Sequence, residues 1–177
     1  MTKNIKDLKV LISQKELQER IKELAQEIND FYPLNETLHL ICVLKGAVMF
    51  FTELSKHLTM PIEMHFVTLS SYGNNQETSG RVNAINLSLP NFENKNVLIV
   101  EDIMDSGLTL KFLTAYIDKN CASKSTKIAV LFDKKCARKE NIAPDFSAFD
   151  IDDKFIVGFG LDYCELYRNI DYVGYFE

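Results

Sequence analysis

The chain predicts an α/β fold, doubly wound around a mostly parallel sheet with helices on its flanks, and three observations lead there. Short runs along the sequence are apolar throughout rather than alternating, which suits strands buried on both faces of a parallel sheet. Stretches of helical periodicity lie between those runs, the βαβ rhythm of such folds. The length, 177 residues, is enough for one complete core and too little for two ordinary domains.

The first element is a helix. Ser13-Gln14-Lys15-Glu16 reads as a capping box, with Ile12 and Leu17 placed to form the accompanying hydrophobic staple. Leu17, Ile21, Leu24, Ala25 and Ile28 then share one helical face, and Pro33 follows the end. Leu38 to Leu44 is the first buried strand, followed by Lys45-Gly46 and a helical stretch from Ala47 to Leu58. Ile62 to Leu69 and Val97 to Val100 are further strands, the latter leading through an acidic and glycine turn into a helix over Leu108 to Lys119. Ile128 to Phe132 and Phe155 to Phe159 complete five expected strands of the sheet. Ligands of such sheets bind outside the C-terminal strand ends. Residues 70–96 are mostly polar and too long for an ordinary connection. A lid and a polar hairpin at the sheet edge both remain open for them.

Composition removes several classes of function. With 20 Lys plus Arg against 25 Asp plus Glu the formal net charge is −5, a poor match to nucleic-acid backbones or anionic membranes. No apolar run approaches the ~20 residues of a membrane span, and Met1 to Asp7 lack the apolar stretch of a secretory signal. Cys42, Cys121, Cys136 and Cys164 contain no CxxC pair, and His39, His57 and His65 form no ligand cluster with them. That excludes a zinc ribbon or a redox dithiol. Four scattered thiols in a chain of this length fit a reducing, cytoplasmic compartment.

The most informative stretch is Val97 to Thr109, which passes from buried strand through Glu101-Asp102 and a short loop into a helix. Free amides at that helix start, the dipole, and the hydroxyls of Ser106 and Thr109 suit a phosphate. Gly107 permits close backbone approach. Neither a Walker A loop nor a GxGxxG fingerprint is present. Glu101 and Asp102 are adjacent like charges suited to ribose hydroxyls, Mg²⁺ or both. Taken singly, each of these residues reads better as part of a solvated strand end with a helix N-cap at Asp105 or Ser106; the whole string in one strand-turn-helix context reads as the phosphate site.

Val100-Glu101-Asp102-Ile103-Met104-Asp105-Ser106-Gly107-Leu108-Thr109 resembles the phosphoribosyl-pyrophosphate motif of type I phosphoribosyltransferases, in the form typical of the hypoxanthine-guanine phosphoribosyltransferase family. Leu44-Lys45-Gly46, Leu69-Ser70-Ser71-Tyr72-Gly73 and Asp153 to Tyr163 extend the resemblance along nearly the whole chain. It implies a type I phosphoribosyltransferase fold with a small hood, built from the N-terminal segment and about residues 150–177, and a mobile loop over about 70–96. It also implies a purine salvage glycosyltransferase (a pentosyltransferase) that moves 5-phosphoribosyl from phosphoribosyl pyrophosphate to N9 of hypoxanthine or guanine, giving IMP or GMP.

Residue roles follow from the same resemblance. Asp105 is the expected general base at purine N7, and Asp105, Ser106, Gly107, Leu108 (through its amide) and Thr109 wrap the 5′-phosphate. Glu101 and Asp102 hold the ribose hydroxyls and Mg²⁺, and Asp162 meets a second Mg²⁺ through water at the purine end. Lys45, Gly46 and Arg168 meet pyrophosphate, and the peptide between Lys45 and Gly46 is often cis in the family. Lys134 donates to purine O6, Phe155 stacks on the base, and Ile156 contacts it through the backbone. Ser71 and Tyr72 ride on the mobile loop. Without the resemblance, Lys134, Lys135, Arg138 and Lys139 read as a solvated basic turn and Phe155 as core. The implied partners are the two small-molecule substrates, with no nucleic acid and no membrane, in a homodimer or homotetramer. A nucleic-acid-binding relative of the same fold would carry a basic face, and an adenine-specific enzyme would not want Lys134.

Overall fold

The computed structural model describes residues 4–71 and 82–177. The described elements are β1 (Lys9–Ile12), α1 (Gln14–Phe31), β2 (Leu38–Leu44), α2 (Val48–Ser55), β3 (Ile62–Ser71), β4 (Val82–Asn86), β5 (Asn96–Met104), α3 (Leu108–Asn120), β6 (Ser125–Asp133), β7 (Phe146–Asp150), β8 (Ile156–Val157) and β9 (Val173–Tyr175). Two short 3₁₀ turns, Ile5–Asp7 and Lys135–Ala137, accompany them. The main sheet has the order β4-β3-β2-β5-β6-β7, parallel except for β4.

Helix α1 starts where the sequence places it. The Glu16 amide donates to Ser13 Oγ at 3.3 Å while the Ser13 amide donates to Glu16 Oε2 at 2.8 Å, so both halves of the capping box are made. Leu17, Ile21, Leu24, Ala25 and Ile28 are its buried face. Along β2 and β5 successive residues face opposite layers. Leu40, Cys42, Leu98 and Val100 pack with α1 and α2, whereas Ile41, Val43, Val97 and Ile99 pack with α3. Both faces are roofed by helices, and this is why those strands are apolar without alternation.

One expected strand moves. Ile156–Val157 do form a strand, but in a separate three-stranded sheet of order β1-β9-β8, antiparallel to β9. The outermost parallel strand of the main sheet is β7 instead. As an edge strand with the burial pattern buried–half-buried–buried, β7 alternates Phe-Ser-Ala-Phe-Asp and lacks the continuous apolar signature. Within residues 70–96 the end of β3 pairs antiparallel with β4 at the opposite edge; Tyr72 lies outside the described residues. Among the described residues no helix is long and apolar enough to cross a membrane.

Candidate active site

Strand β5 carries Glu101 and Asp102 inside the sheet, because it continues to Met104, past the apolar run. Both carboxylates are buried. Asp102 N donates to Glu101 Oε1 at 3.2 Å, and Ile103 N to Asp102 Oδ1 at 2.8 Å. Burial, reinforced by the neighbouring Asp102 charge, holds Glu101 well above the usual carboxylate range. Asp102 is raised too, by burial, with backbone donors and Arg168 pulling against it. A cation beside such a pair would offset the repulsion and favour the ionised form of both. The nearby Cys42 thiol is pushed up to about 12, first by burial and then by these two acids; it is therefore a thiol at neutral pH and no nucleophile.

The loop after β5 turns through Gly107, whose φ of +81° makes it the left-handed N-cap of α3. The cap is therefore neither Asp105 nor Ser106. A Cβ at Gly107 would sit 2.8 Å from Ile142 Cγ2, so side-chain packing as well as φ demands glycine. Asp105 Oδ1 accepts from the Ser106 amide, and Ser106 Oγ accepts from the Leu108 amide at 3.4 Å. A cavity of about 30 Å³ separates this loop from the acid pair, lined by Glu101, Met104, Asp105, Gly107 and Thr109 among others.

Arg138, which reads in the sequence as part of a solvated basic turn, is mostly buried and braces this loop from behind. Its Nε donates to Asp105 O at 2.9 Å, its two Nη atoms to Ile142 O at 2.6 Å and Met104 O at 3.2 Å, and it pairs with the buried carboxylate of Asp133. The Lys139 and Glu140 amides donate to Ser106 O at 3.1 and 3.0 Å. The planar guanidinium fork is what can serve three carbonyls and a carboxylate at once. No local sequence signal marks Arg138 for this task.

The turn after β2 lies against the acids. A Cβ on Gly46 would be 1.8 Å from Asp102 Oδ2, and one on Gly160 (φ +102°) would be 2.0 Å from Gly46 O. Two glycine backbones and the Asp102 carboxylate thus converge where only glycine fits. The cis peptide here is Leu44–Lys45, not Lys45–Gly46; it falls at the last residue of β2, where the chain leaves the sheet. Lys45 Nζ meets Glu165 Oε2 at 2.9 Å. Arg168 donates to Gly160 O at 2.8 Å, pairs with Asp162 Oδ1 at 2.7 Å and reaches Glu165 Oε2 at 3.3 Å. Its Nε is buried without a hydrogen-bond partner among the described residues. Glu165, which the sequence did not single out, therefore bridges both cations, and Lys45, then Arg168, holds its carboxyl below the usual range.

The remaining residues surround the β7–β8 connection. Lys134 donates its backbone N–H to Met104 O at 2.9 Å, and its ammonium meets Asp153 Oδ1 at 2.7 Å and Lys154 O at 3.3 Å. The adjacent Phe155 is 61% exposed, so it is no core residue, and its ring contacts Tyr163 edge-on at 5.9 Å. Ile156 is buried in β8 opposite Tyr175. Ser71 ends β3, with its backbone paired to Val82.

Comparison with known proteins matches residues 13–164 to the model of the phosphoribosyl transferase domain. The chain is 46% identical over 167 residues to hypoxanthine-guanine phosphoribosyltransferase of Bacillus subtilis (strain 168), covering 94% of this chain and 91% of that protein. It is 45% identical over 174 residues to the protein of the same name from Streptococcus thermophilus (strain CNRZ 1066), covering 98% and 94%. The crystal structure of a hypoxanthine phosphoribosyltransferase from Staphylococcus aureus superposes with a TM-score of 0.90 at 36% identity, over 97% of this chain and 93% of that one.

Proposed function

The chain belongs to the phosphoribosyl transferase family, and from that premise we propose that it moves 5-phosphoribosyl from phosphoribosyl pyrophosphate to N9 of hypoxanthine, guanine or both, releasing pyrophosphate. The observation that carries the reading is the convergence at Gly46: one carboxylate of a buried acid pair and a second glycine backbone meet it, with Arg168 bonded to that second glycine. This is a cradle for a polyanion beside a helix-start phosphate loop.

The 5′-phosphate rests on the Asp105–Thr109 loop, and pyrophosphate on Lys45, Gly46 and Arg168. Glu165 holds the charges of Lys45 and Arg168 that the leaving polyanion takes over, and the unpartnered Arg168 Nε is a donor ready for it. Displacement at C1′ puts positive charge on the ribose, which the neighbouring carboxylates offset. Asp105, exposed at the loop tip, takes the purine N7 proton. Lys134 offers only donors, so it accepts a 6-oxo group and rejects a 6-amino group; Phe155 is the stacking face, and Ile156 meets the base through its backbone.

Glu101 and Asp102 are hard-oxygen donors that would serve one Mg²⁺, with Asp162 reaching a second through water, and a cation would relieve the upward-shifted acids. When bound, Mg²⁺ neutralises charge on the pyrophosphate leaving group. Ser71, at the end of β3, leads into the segment expected to cover the site; Tyr72 lies outside the described residues. The whole chain acts as a single domain, with β1, β8 and β9 as its hood, in a cytoplasmic homodimer or homotetramer. The test offers hypoxanthine, guanine, xanthine, adenine and orotate singly, with phosphoribosyl pyrophosphate and Mg²⁺, in a spectrophotometric assay. Turnover of hypoxanthine or guanine, abolished by chelation, is expected. Comparable turnover of adenine would remove Lys134 from its role.

A further inference from the structure

At the end of the sheet away from these carboxylates, three side chains from neighbouring strands meet. In the parallel pair β2–β3, His39 stands opposite Glu63 and Ile41 opposite His65. The two-residue period places His39, Glu63 and His65 on one face. His39 Nδ1 is 3.2 Å from His65 Nε2 and 3.6 Å from Glu63 Oε2, while His65 Nε2 is 3.5 Å from Glu63 Oε1. Among the described residues these are the group of histidine, cysteine and carboxylate ligands close enough together to hold an ion. The geometry points to a second metal site here, separate from the proposed Mg²⁺ set, that takes a zinc-class divalent cation.

Distance discriminates between this site and an ordinary polar cluster. At 3.5–3.6 Å the carboxylate is too far from either imidazole for a good hydrogen bond. A tetrahedral ion with donors at about 2.0–2.1 Å, however, separates adjacent donor atoms by roughly 3.3–3.4 Å. The spacing between the two imidazole nitrogens, 3.2 Å, lies beside that edge length, and Glu63 turns one oxygen to each ring, Oε1 at 3.5 Å from His65 and Oε2 at 3.6 Å from His39. Two imidazoles and one carboxylate, with a fourth position left to water, is a known zinc donor set, and imidazole nitrogen selects against Mg²⁺.

Protonation and rigidity favour the same occupant. Burial holds both histidines below their ordinary pKa, with Lys95 adding to the effect and Glu63 opposing it. Neutral rings carry the lone pairs that a metal needs. Between His39 and His65 one facing nitrogen donates to the other. On coordination that proton moves to the donor ring's other nitrogen, so both facing lone pairs reach the metal with no net proton lost from the rings. The rings are already held: His39 stacks on His65 at 5.5 Å, and Phe92 contacts them at 5.3 and 5.1 Å. A cavity of about 360 Å³, lined by His39, Glu63, Glu36, Lys95, Asn96 and Lys124 among others, opens beside them and gives an entry path. Lys95 opposes a cation there, while Glu63 and Glu36 offset it; Lys124 is paired with Glu36 at 2.9 Å.

The test titrates the full chain with Zn²⁺ against a chromophoric indicator, in excess Mg²⁺ and after alkylation of the exposed thiols Cys136 and Cys164. One equivalent is expected to bind. Glu63→Gln and His65→Gln should each weaken it by at least about tenfold, the loss already typical of an outer-shell partner; Glu101→Gln should not. Glu63 is more than half exposed, so its variant decides the matter even if His65→Gln does not fold. Co²⁺ in place of Zn²⁺ should give ligand-field bands without a thiolate charge-transfer band. A parent that binds no Zn²⁺, a Glu63→Gln affinity within threefold of the parent, or a thiolate band would overturn the site.

Discussion

Each end of the main sheet holds a pair of titratable groups largely out of water, and desolvation drives both pairs toward neutrality: Glu101 and Asp102 upward, His39 and His65 downward. What differs is the surroundings. At the carboxylate end the strands run into Gly46 and Gly107, with Gly160 beside them, and backbones come within reach of anything bound. At the imidazole end the groups lie on the face of β2 and β3, clamped by Phe92. One physical force therefore prepares both ends, while donor chemistry and chain flexibility decide what each can hold.

The largest break between the ends should come from Asp105→Asn. Asparagine keeps the Oδ1 that accepts from the Ser106 amide but cannot take the purine proton, so kcat should fall ~10²–10⁴-fold. The melting temperature and product Kd should stay near parental. Parental kcat would return Asp105 to a purely local turn contact. Next is Arg138→Met, which leaves the Asp133 carboxylate buried and unpaired. Losing one partner of such a pair costs about 3–5 kcal/mol, read as a lowered urea midpoint. Because the Asp105 and Ile142 carbonyls lose this donor as well, and Met104 O keeps only the Lys134 amide, KM for phosphoribosyl pyrophosphate should rise more than KM for the base. An unchanged midpoint with parental KM would show that the loop stands without this brace.

The smallest effect is on stability against pH, where the two ends have opposite sign. The raised acids bind protons in the folded state that the unfolded chain has released, so their contribution falls as pH rises above about 4–5. The lowered imidazoles behave the other way: stability is present above about pH 6.5 and is lost as pH falls below it. In Mg²⁺-free buffer, Glu101→Gln should flatten the decline toward high pH, and His65→Gln should flatten the rise through pH 6.5. Denaturant midpoints from pH 5 to 8 measure both; slopes unchanged by either substitution would show that burial does not set these protonation states.

Local signals were legible in the sequence and cross-strand ones were not. The Ser13 capping box needs four consecutive residues, and the helix-start loop at Gly107 is written in one continuous motif. The expected strand at Phe155 to Phe159 failed because a short buried run does not say which sheet it joins, whereas β7 hid its place behind an edge strand's alternation. Arg138 satisfies carbonyls more than thirty residues earlier in the chain, so no window around it reveals the task. His39 and His65 carry no ligand spacing because their neighbourhood arises only when β2 and β3 align in register. The cis peptide misses its expected place by one residue, and nothing in the sequence around Lys45 distinguishes the two bonds.

The pairing of β1 with β9 sets an order of events during synthesis. Lys9 and Val10 are made early, yet their only ladder partners among the described residues are Tyr175 and Gly174. On a ribosome the main sheet, with its acid pair and phosphate loop, can assemble while β1 still waits. The third cluster, Leu8, Val157 and Ile170, closes only when β9 emerges. Ile156 pairs with Tyr175 in that same sheet, and Phe155 is its neighbour. A chain lacking residues 173–175 would therefore keep every strand of the main sheet but leave β1 and Ile156 without the strand they pair with.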